Sequence, residues 1–385
     1  MHLHAAVPRH TVARLRALLA TGLILGLLLS VSFAGTAHAA TTLNVGVGVG
    51  AGTVAGNVYV PGDMTILVGD SVKWTIESDE PHSVTFGDGP AGVPPPNWPA
   101  AGFTGTVPPP PATASLTGTY SGTGFLNTEL LFKGSTATVT FTTAGTFAFI
   151  CQIHPGMAGN VNVVASGATT TQADADAKAT LTRDAILGAV AGLEASTTAQ
   201  VSETERSDGT SLWNIFTNSA QAPAPQPGGG TGFLEIMRFV PPTLEIEAGD
   251  TVKWSALLPH TVTFPAAGQD PMTIDPFTTP ATTNAVYDGT SLYNSALMAA
   301  GPGTASSYEL TFPDAGTFDY VCALHQFLGQ TGTIVVSEAP VITPPPTDHE
   351  KLAATPGSEL PWLAIWLLAA LSAMVAAGTL ALRRR

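Results

Sequence analysis

The sequence predicts an all-β protein: two tandem Greek-key β-sandwiches, joined by a partly helical linker and followed by one C-terminal transmembrane helix. Three observations carry this reading. The middle of the chain repeats itself, each copy is built of short alternating segments between Gly and Pro turns, and both ends of the chain are apolar.

The repeat is the strongest of the three. Gly69-Asp70-Ser71-Val72-Lys73-Trp74 recurs as Gly249-Asp250-Thr251-Val252-Lys253-Trp254. Pro81-His82-Ser83-Val84-Thr85-Phe86 recurs as Pro259-His260-Thr261-Val262-Thr263-Phe264, and Ala144-Gly145-Thr146-Phe147 as Ala315-Gly316-Thr317-Phe318. The order is the same in both copies, so a domain has been duplicated. Within each copy, segments such as Ser71 to Ile76 and Thr138 to Phe141 alternate polar and apolar residues. That is the period of a half-buried strand. Short strands separated by turn residues at this density read as a sandwich.

The rest of the chain fills in around the copies. The boundaries read as 41–165 for the first domain and 208–338 for the second. The linker, 166–207, is rich in Ala, with Leu181, Ala185, Ala189, Val190 and Leu193 near helical spacing over Ala173 to Ala195. It reads as a spacer helix or a helix packed on one domain. Residues 339–360 form a Pro-rich stalk.

The ends read as addresses. Residues 1–39 have basic Arg9, Arg14 and Arg16, an apolar stretch and Ala37-His38-Ala39, the pattern of a cleaved secretory signal. Residues 361–382 are uncharged, begin near Trp362 and Trp366, and precede Arg383-Arg384-Arg385. That length spans a bilayer, with the basic tail, 383–385, in the cytoplasm. The expectation is an exported body with one anchor.

Composition bounds the partners. The 385 residues carry 14 Lys+Arg against 28 Asp+Glu, a formal charge of −14. Six of the Arg lie in the two ends, so the expected exported part is near −20. No basic patch exists to meet phosphates, which excludes nucleic acid as a partner. A basic redox partner protein fits such a surface. Two Cys exclude a disulfide-dense scaffold.

The histidine census points to chemistry. Of nine His, those at 2, 4, 10 and 38 lie in the expected signal and His349 in the stalk. The remaining four are His82, His154, His260 and His325. Each copy therefore keeps one upstream His and a later Cys-x-x-His: His82 with Cys151 and His154, and His260 with Cys322 and His325. Two imidazoles and a thiolate with a weak axial Met or Gln form the blue-copper donor set. A disulfide between Cys151 and Cys322 is the rival reading. It requires two equivalent loops of duplicated domains to meet.

These motifs resemble the cupredoxins, the blue-copper family of plastocyanin, amicyanin and pseudoazurin. The resemblance covers about two thirds of the chain. Phe147-x-Phe149-x-Cys151-x-x-His154-x-x-Met157-x-Gly159 resembles the short-loop, amicyanin-like pattern. It implies His82, Cys151 and His154 as equatorial copper ligands and Met157 as the axial one. In the second copy His260, Cys322 and His325 match, but the last loop is longer. Counting from His325 puts Leu328 at the axial place. Anchoring on Gly332-Thr333-Ile334 puts Gln330 there, and the downstream strand favours Gln330. Axial Gln implies a lower reduction potential than axial Met. Many cupredoxins carry Asn after the upstream His, where Ser83 and Thr261 stand here.

The resemblance implies a type 1 copper in each domain and one-electron transfer outside the cytoplasm. Copper storage or delivery is the alternative, as is an oxidoreductase subunit that takes a further copper centre from elsewhere. A multicopper enzyme within one chain is disfavoured, because beyond the expected signal, where His2-Leu3-His4 lies, no His-x-His or His-Cys-His is present to hold extra copper. Trp74 and Trp254 read as core residues, and Asp79 and Glu80 as solvated.

Overall fold

The computed structural model describes residues 38–91, 101–105, 112–300 and 305–339. The expected signal up to residue 37, the stalk from residue 340, the transmembrane helix 361–382 and the tail 383–385 lie outside the described residues. Among the described residues no helix is long and apolar enough to cross a membrane.

Strands dominate. The first copy forms β1 (Thr42–Val49), β2 (Val54–Val60), β3 (Asp63–Leu67), β4 (Ser71–Ile76), β5 (Thr85–Phe86), β6 (Phe103–Thr104), β7 (Ser115–Tyr120), β8 (Leu126–Asn127), β9 (Thr136–Phe141), β10 (Gly145–Ile150) and β11 (Ala158–Val164). After the helix Gln172–Thr198 come β12 (Ser202–Glu205), β13 (Ser211–Phe216), β14 (Ser219–Gln221), β15 (Phe233–Ile236), β16 (Thr243–Glu247), β17 (Thr251–Ser255), β18 (Thr263–Phe264), β19 (Tyr293–Asn294), β20 (Ser307–Thr311), β21 (Gly316–Val321) and β22 (Thr331–Ser337).

Each copy packs two sheets. In the first, an eight-stranded sheet β14-β15-β2-β1-β4-β9-β7-β6 faces β3-β11-β10-β5-β8. In the second, β12-β13-β17-β20 faces β16-β22-β21-β18-β19. Alternation along β4 and β9 buries every second residue, and the buried set meets between the sheets. Trp74 and Trp254 are fully buried at equivalent places, as core residues should be.

The repeated Gly-Asp turn has a structural cause. Gly69 and Gly249 sit at φ of 94° and 101°, a left-handed backbone that suits only glycine without strain. The next residue then folds its carboxylate back over the turn. Asp70 accepts from the backbone N–H of Leu67 at 3.0 Å and of Thr41 at 2.7 Å. Asp250 accepts from Glu247 at 3.1 Å and Ser211 at 2.6 Å. Each Asp thereby ties the start of the strand that runs parallel to the Trp strand, β1 or β13, to the turn before that Trp strand.

The two copies are not beads on a spacer. They belong to one compact unit that ends at Ala339. The expected second domain, 208–338, lends β14 and β15 to the first copy's sheet, where β15 pairs antiparallel with β2 from Phe233↔Asn57 to Ile236↔Val54. The chain then returns to its own copy through the bridge between Phe216 and Val240. Backbone pairing prevailed over the apparent domain boundary because β2 would otherwise leave an open edge.

The helix is longer than the Ala-rich stretch suggested. A capping box starts it, with Thr171 and Asp174 exchanging hydrogen bonds. Its buried face is Ala175, Ala179, Thr182 and Ile186, whereas Leu181, expected in the apolar stripe, is exposed. Ala179 and Ile186 pack with Val49, Val58, Val60 and Leu234. The helix thus covers the outer face of the extended sheet.

Replacing Asp70 or Asp250 by Ala leaves two backbone donors without their charged acceptor. Each substitution should lower unfolding free energy by about 1–3 kcal/mol, read from urea denaturation. A midpoint unchanged from wild type would refute this role for the turn.

Candidate metal centre

The last two strands of each copy carry the site. In the first copy β10 runs into Cys151 and β11 starts after Met157, so the loop between them is held by a paired ladder on both sides. Cys151 N donates to the Met157 carbonyl at 3.1 Å, and Met157 N to the His154 carbonyl at 2.9 Å. The upstream His82 comes from another strand region, fixed by reciprocal backbone bonds with Leu131 at 2.9 and 2.7 Å. All four side chains are buried.

The donor atoms converge. Cys151 Sγ lies 3.4 Å from His154 Nδ1 and 3.9 Å from His82 Nδ1, and the two Nδ1 atoms are 3.1 Å apart. In the second copy Cys322 Sγ is 3.6 Å from both His260 Nδ1 and His325 Nδ1, and those nitrogens are again 3.1 Å apart. A single cation bonded to both nitrogens at about 2 Å, the value for zinc–imidazole, spans such a gap. Two buried imidazole lone pairs turned toward one thiolate are a donor set for a soft transition metal.

The backbone sets the register of the two last loops. Cys322 N donates to the Gln330 carbonyl at 3.2 Å, the same bond that Cys151 makes to Met157. Gln330 is therefore the counterpart of Met157. The extra length of the second loop is taken up by the 3-10 turn Gln326–Leu328, closed by Gly329 at φ 95°. That turn sends Leu328 outward, against Ala55 and Met237 of the interface between copies. Gln330 points inward. Its amide N–H donates to the Thr217 carbonyl at 2.6 Å, which leaves Oε1 facing the site, 2.9 Å from His260 Nδ1.

Ser83 and Thr261 serve both sites alike. Their backbone N–H groups point at the cysteine sulfurs, at 3.4 and 3.3 Å. Their hydroxyls accept from the backbone N–H of Gln152 at 2.8 Å and Ala323 at 2.7 Å. These bonds pin each Cys loop to the upstream His, the support a metal ligand needs.

Electrostatics follow from this packing. Burial raises the Cys151 and Cys322 thiols, but the neighbouring imidazoles more than reverse this and hold both well below the ordinary thiol range. Burial lowers His82, whose Nε2 faces the Ser78 hydroxyl at 2.9 Å. Burial opposes charge on His260 too, yet the Cys322 sulfur and Glu235, with Oε1 2.7 Å from Nε2, raise it to about 10. His154 is likewise raised to about 10 against burial, by Cys151 and Glu80.

Sequence reasoning missed Glu80 and Glu235. Asp79 is partly exposed and paired with Lys133 at 2.7 Å. Glu80, read as solvated beside it, is instead buried, because the second copy covers it. The signal was in the repeat: where the first copy has Glu80 before Pro81, the second has Leu258. Glu235 lies on β15, and only the fold reveals that β15 passes His260. The rival disulfide is overturned, since Cys151 and Cys322 are both free.

A family model described as copper binding proteins of the plastocyanin/azurin family matches residues 45–164 and again 231–337. The chain belongs to that family. Both matched segments are copper-binding cupredoxin domains, and each holds one His/Cys/His group that fits a type 1 copper site. Plastocyanin from Scenedesmus fuscus is 35% identical over 100 residues, 26% of this chain and 85% of that protein. Amicyanin from Paracoccus versutus is 26% identical over 26% of this chain and 74% of its own, with a TM-score of 0.18. A Cu(I) amicyanin variant is 25% identical over 37% of this chain and 90% of its own, with a TM-score of 0.20.

Replacing Gln330 by Ala removes the partner of a buried carbonyl and opens space beside His260. The metal-free cupredoxin should lose about 1–3 kcal/mol of stability. Gln330→Ala unfolding at the wild-type denaturant midpoint would contradict this placement.

Proposed function

We propose that this cupredoxin is a membrane-anchored, extracytoplasmic electron carrier with two type 1 copper centres. His82, Cys151, His154 and Met157 hold the first, and His260, Cys322, His325 and Gln330 the second. The observation that carries the reading is the convergence of two Nδ1 atoms and one thiolate sulfur at 3.1–3.9 Å in each copy, inside a protein of this family. Copper supplies a one-electron couple, Cu(I)/Cu(II), at each place.

The chain's own residues do the rest. The ladders β10–β11 and β21–β22 hold Cys and His in fixed relation, so little has to reorganise when charge changes. Burial of the ligands excludes water and further ligands, which suits electron passage better than substrate turnover or rapid metal exchange. The four ligating His exhaust those outside the chain's ends, which disfavours a further copper centre held by this chain alone. The apolar ends of the sequence support export and anchoring, and the acidic body favours a basic redox partner.

The centres differ in their surroundings. Gln330 and the carboxylate of Glu235 on His260 both favour the oxidised ion in the second centre. Met157 and the neutral Ser78 do so less in the first. The second centre is therefore the lower in potential.

Copper loading should give two ions per chain and an intense thiolate-to-copper absorption that bleaches on reduction. Cys151→Ser and Cys322→Ser should each remove one ion and part of the band, and the double variant should remove both. A colourless protein whose copper exchanges freely would favour delivery instead. Gln330→Met should raise the potential of the second centre toward that of the first, with Leu328→Ala leaving it unmoved. A shift with Leu328→Ala and none with Gln330→Met would reassign the axial place.

A further inference from the structure

The Glu80 carboxylate is buried between the two centres. Its Oε2 lies 3.2 Å from His154 Nε2 and its Oε1 3.7 Å from His325 Nε2. Only 5% of the residue is exposed, and among the described residues Oε2 has no aligned hydrogen-bond donor other than this imidazole edge to satisfy it. It is a carboxylate enclosed by histidines of both copies.

The two imidazoles are the outer ligands of their sets. Each turns Nδ1 toward its cysteine and Nε2 toward Glu80. With Nδ1 reserved for the metal, Nε2 carries the proton, so both rings present N–H edges to one acceptor. Neither ring opens broadly to solvent: His154 is 7% and His325 9% exposed. Phe233, from the strand lent by the second copy, stands edge-on to His154 with ring centroids 5.9 Å apart. The continuous sheet through β15 and β2 and the cluster Ala55, Met237 and Leu328 keep the two copies in register around the carboxylate.

Resting on the two-centre reading above, we propose that Glu80 is a positioning residue that joins the centres. It holds His154 and His325 across one carboxylate, so that an electron exchanges between the two sites inside the chain. One site is oxidised by one electron and the other reduced by one. No bond forms or breaks, each Nε2 keeps its proton, and no co-reactant is required. The negative charge also sits between two centres that each carry net positive charge when the ion is Cu(II) and the ligand a thiolate. It therefore favours the oxidised state of both. The repeat places Leu258 where the first copy has Glu80, so one carboxylate serves both sites without a duplicate.

The test uses the full chain in detergent, loaded with copper and reduced by a single electron equivalent in a radiolysis pulse. Wild type should show an exchange phase whose rate is independent of protein concentration. Glu80→Gln keeps the shape but offers one acceptor and one NH₂, so it holds one imidazole and opposes the other. It should slow that phase on the order of tenfold, the scale of one lost contact to a charged group, and raise both potentials. Glu80→Ala should slow it at least as much, and Asp79→Asn should leave it unchanged. A second readout is independent of turnover: in the Cu(I) protein, the Nε2–H proton resonances of both His154 and His325 should be protected from exchange and should both shift in Glu80→Gln. The proposal is overturned if the phase keeps its rate in Glu80→Gln and Glu80→Ala while both absorption bands persist. It is equally overturned if the rate scales with protein concentration, or if His325 is silent to Glu80→Gln. Absence of both bands from wild type would overturn the two-centre reading itself along with this one.

Discussion

Each centre depends on one constraint: a buried thiolate must find positive partners in a dry interior, or it cannot persist. Burial alone raises a thiol. Here two imidazoles per copy converge on the sulfur, and a backbone N–H from Ser83 or Thr261 completes its surroundings. Placing such groups together requires a rigid frame, and the paired strands on either side of each Cys loop supply it. The sandwich, the Gly-Asp turn that locks the strand parallel to the Trp strand and the Trp-centred core are the means by which three donor atoms are held within reach of one ion.

The cores of the two copies solve one packing problem in two ways. In the second, the Trp254 indole N–H donates to the Tyr320 hydroxyl at 3.1 Å. In the first, Phe149 stands at that place and the Trp74 indole N–H has no hydrogen-bond partner among the described residues. The hydroxyl has moved instead to Tyr59, which donates to the Ser83 carbonyl at 2.7 Å, directly beside the first centre. The duplication has thus kept the aromatic volume while redistributing polar groups, and one consequence is that the two sites sit in different fields. The same divergence placed a hydroxyl behind His82 and a carboxylate behind His260.

Much of this was legible in the residues. The repeat announced two domains, the alternation announced strands, and the His and Cys census singled out the six donors that the fold brings together in two groups of three. The choice between Gln330 and Leu328 needed the downstream strand as anchor, and the backbone bond from Cys322 to Gln330 follows that register. The relation between the copies was not legible. Nothing in the spacing says that β15 crosses to the neighbouring sheet, because strand partners far apart in sequence are selected by exposed edges rather than by local pattern. Glu80 and Glu235 were hidden for the same reason, since their burial is created by the other copy or by a crossing strand. Leu181 likewise read as part of the helix's apolar stripe until the sheet beneath selected a different face.

X-ray absorption at the copper edge of the loaded protein tests the central claim most directly. The account predicts one short sulfur scatterer and two nitrogen scatterers around every copper. Copper surrounded only by nitrogen and oxygen, with both cysteines still free to react, would contradict it.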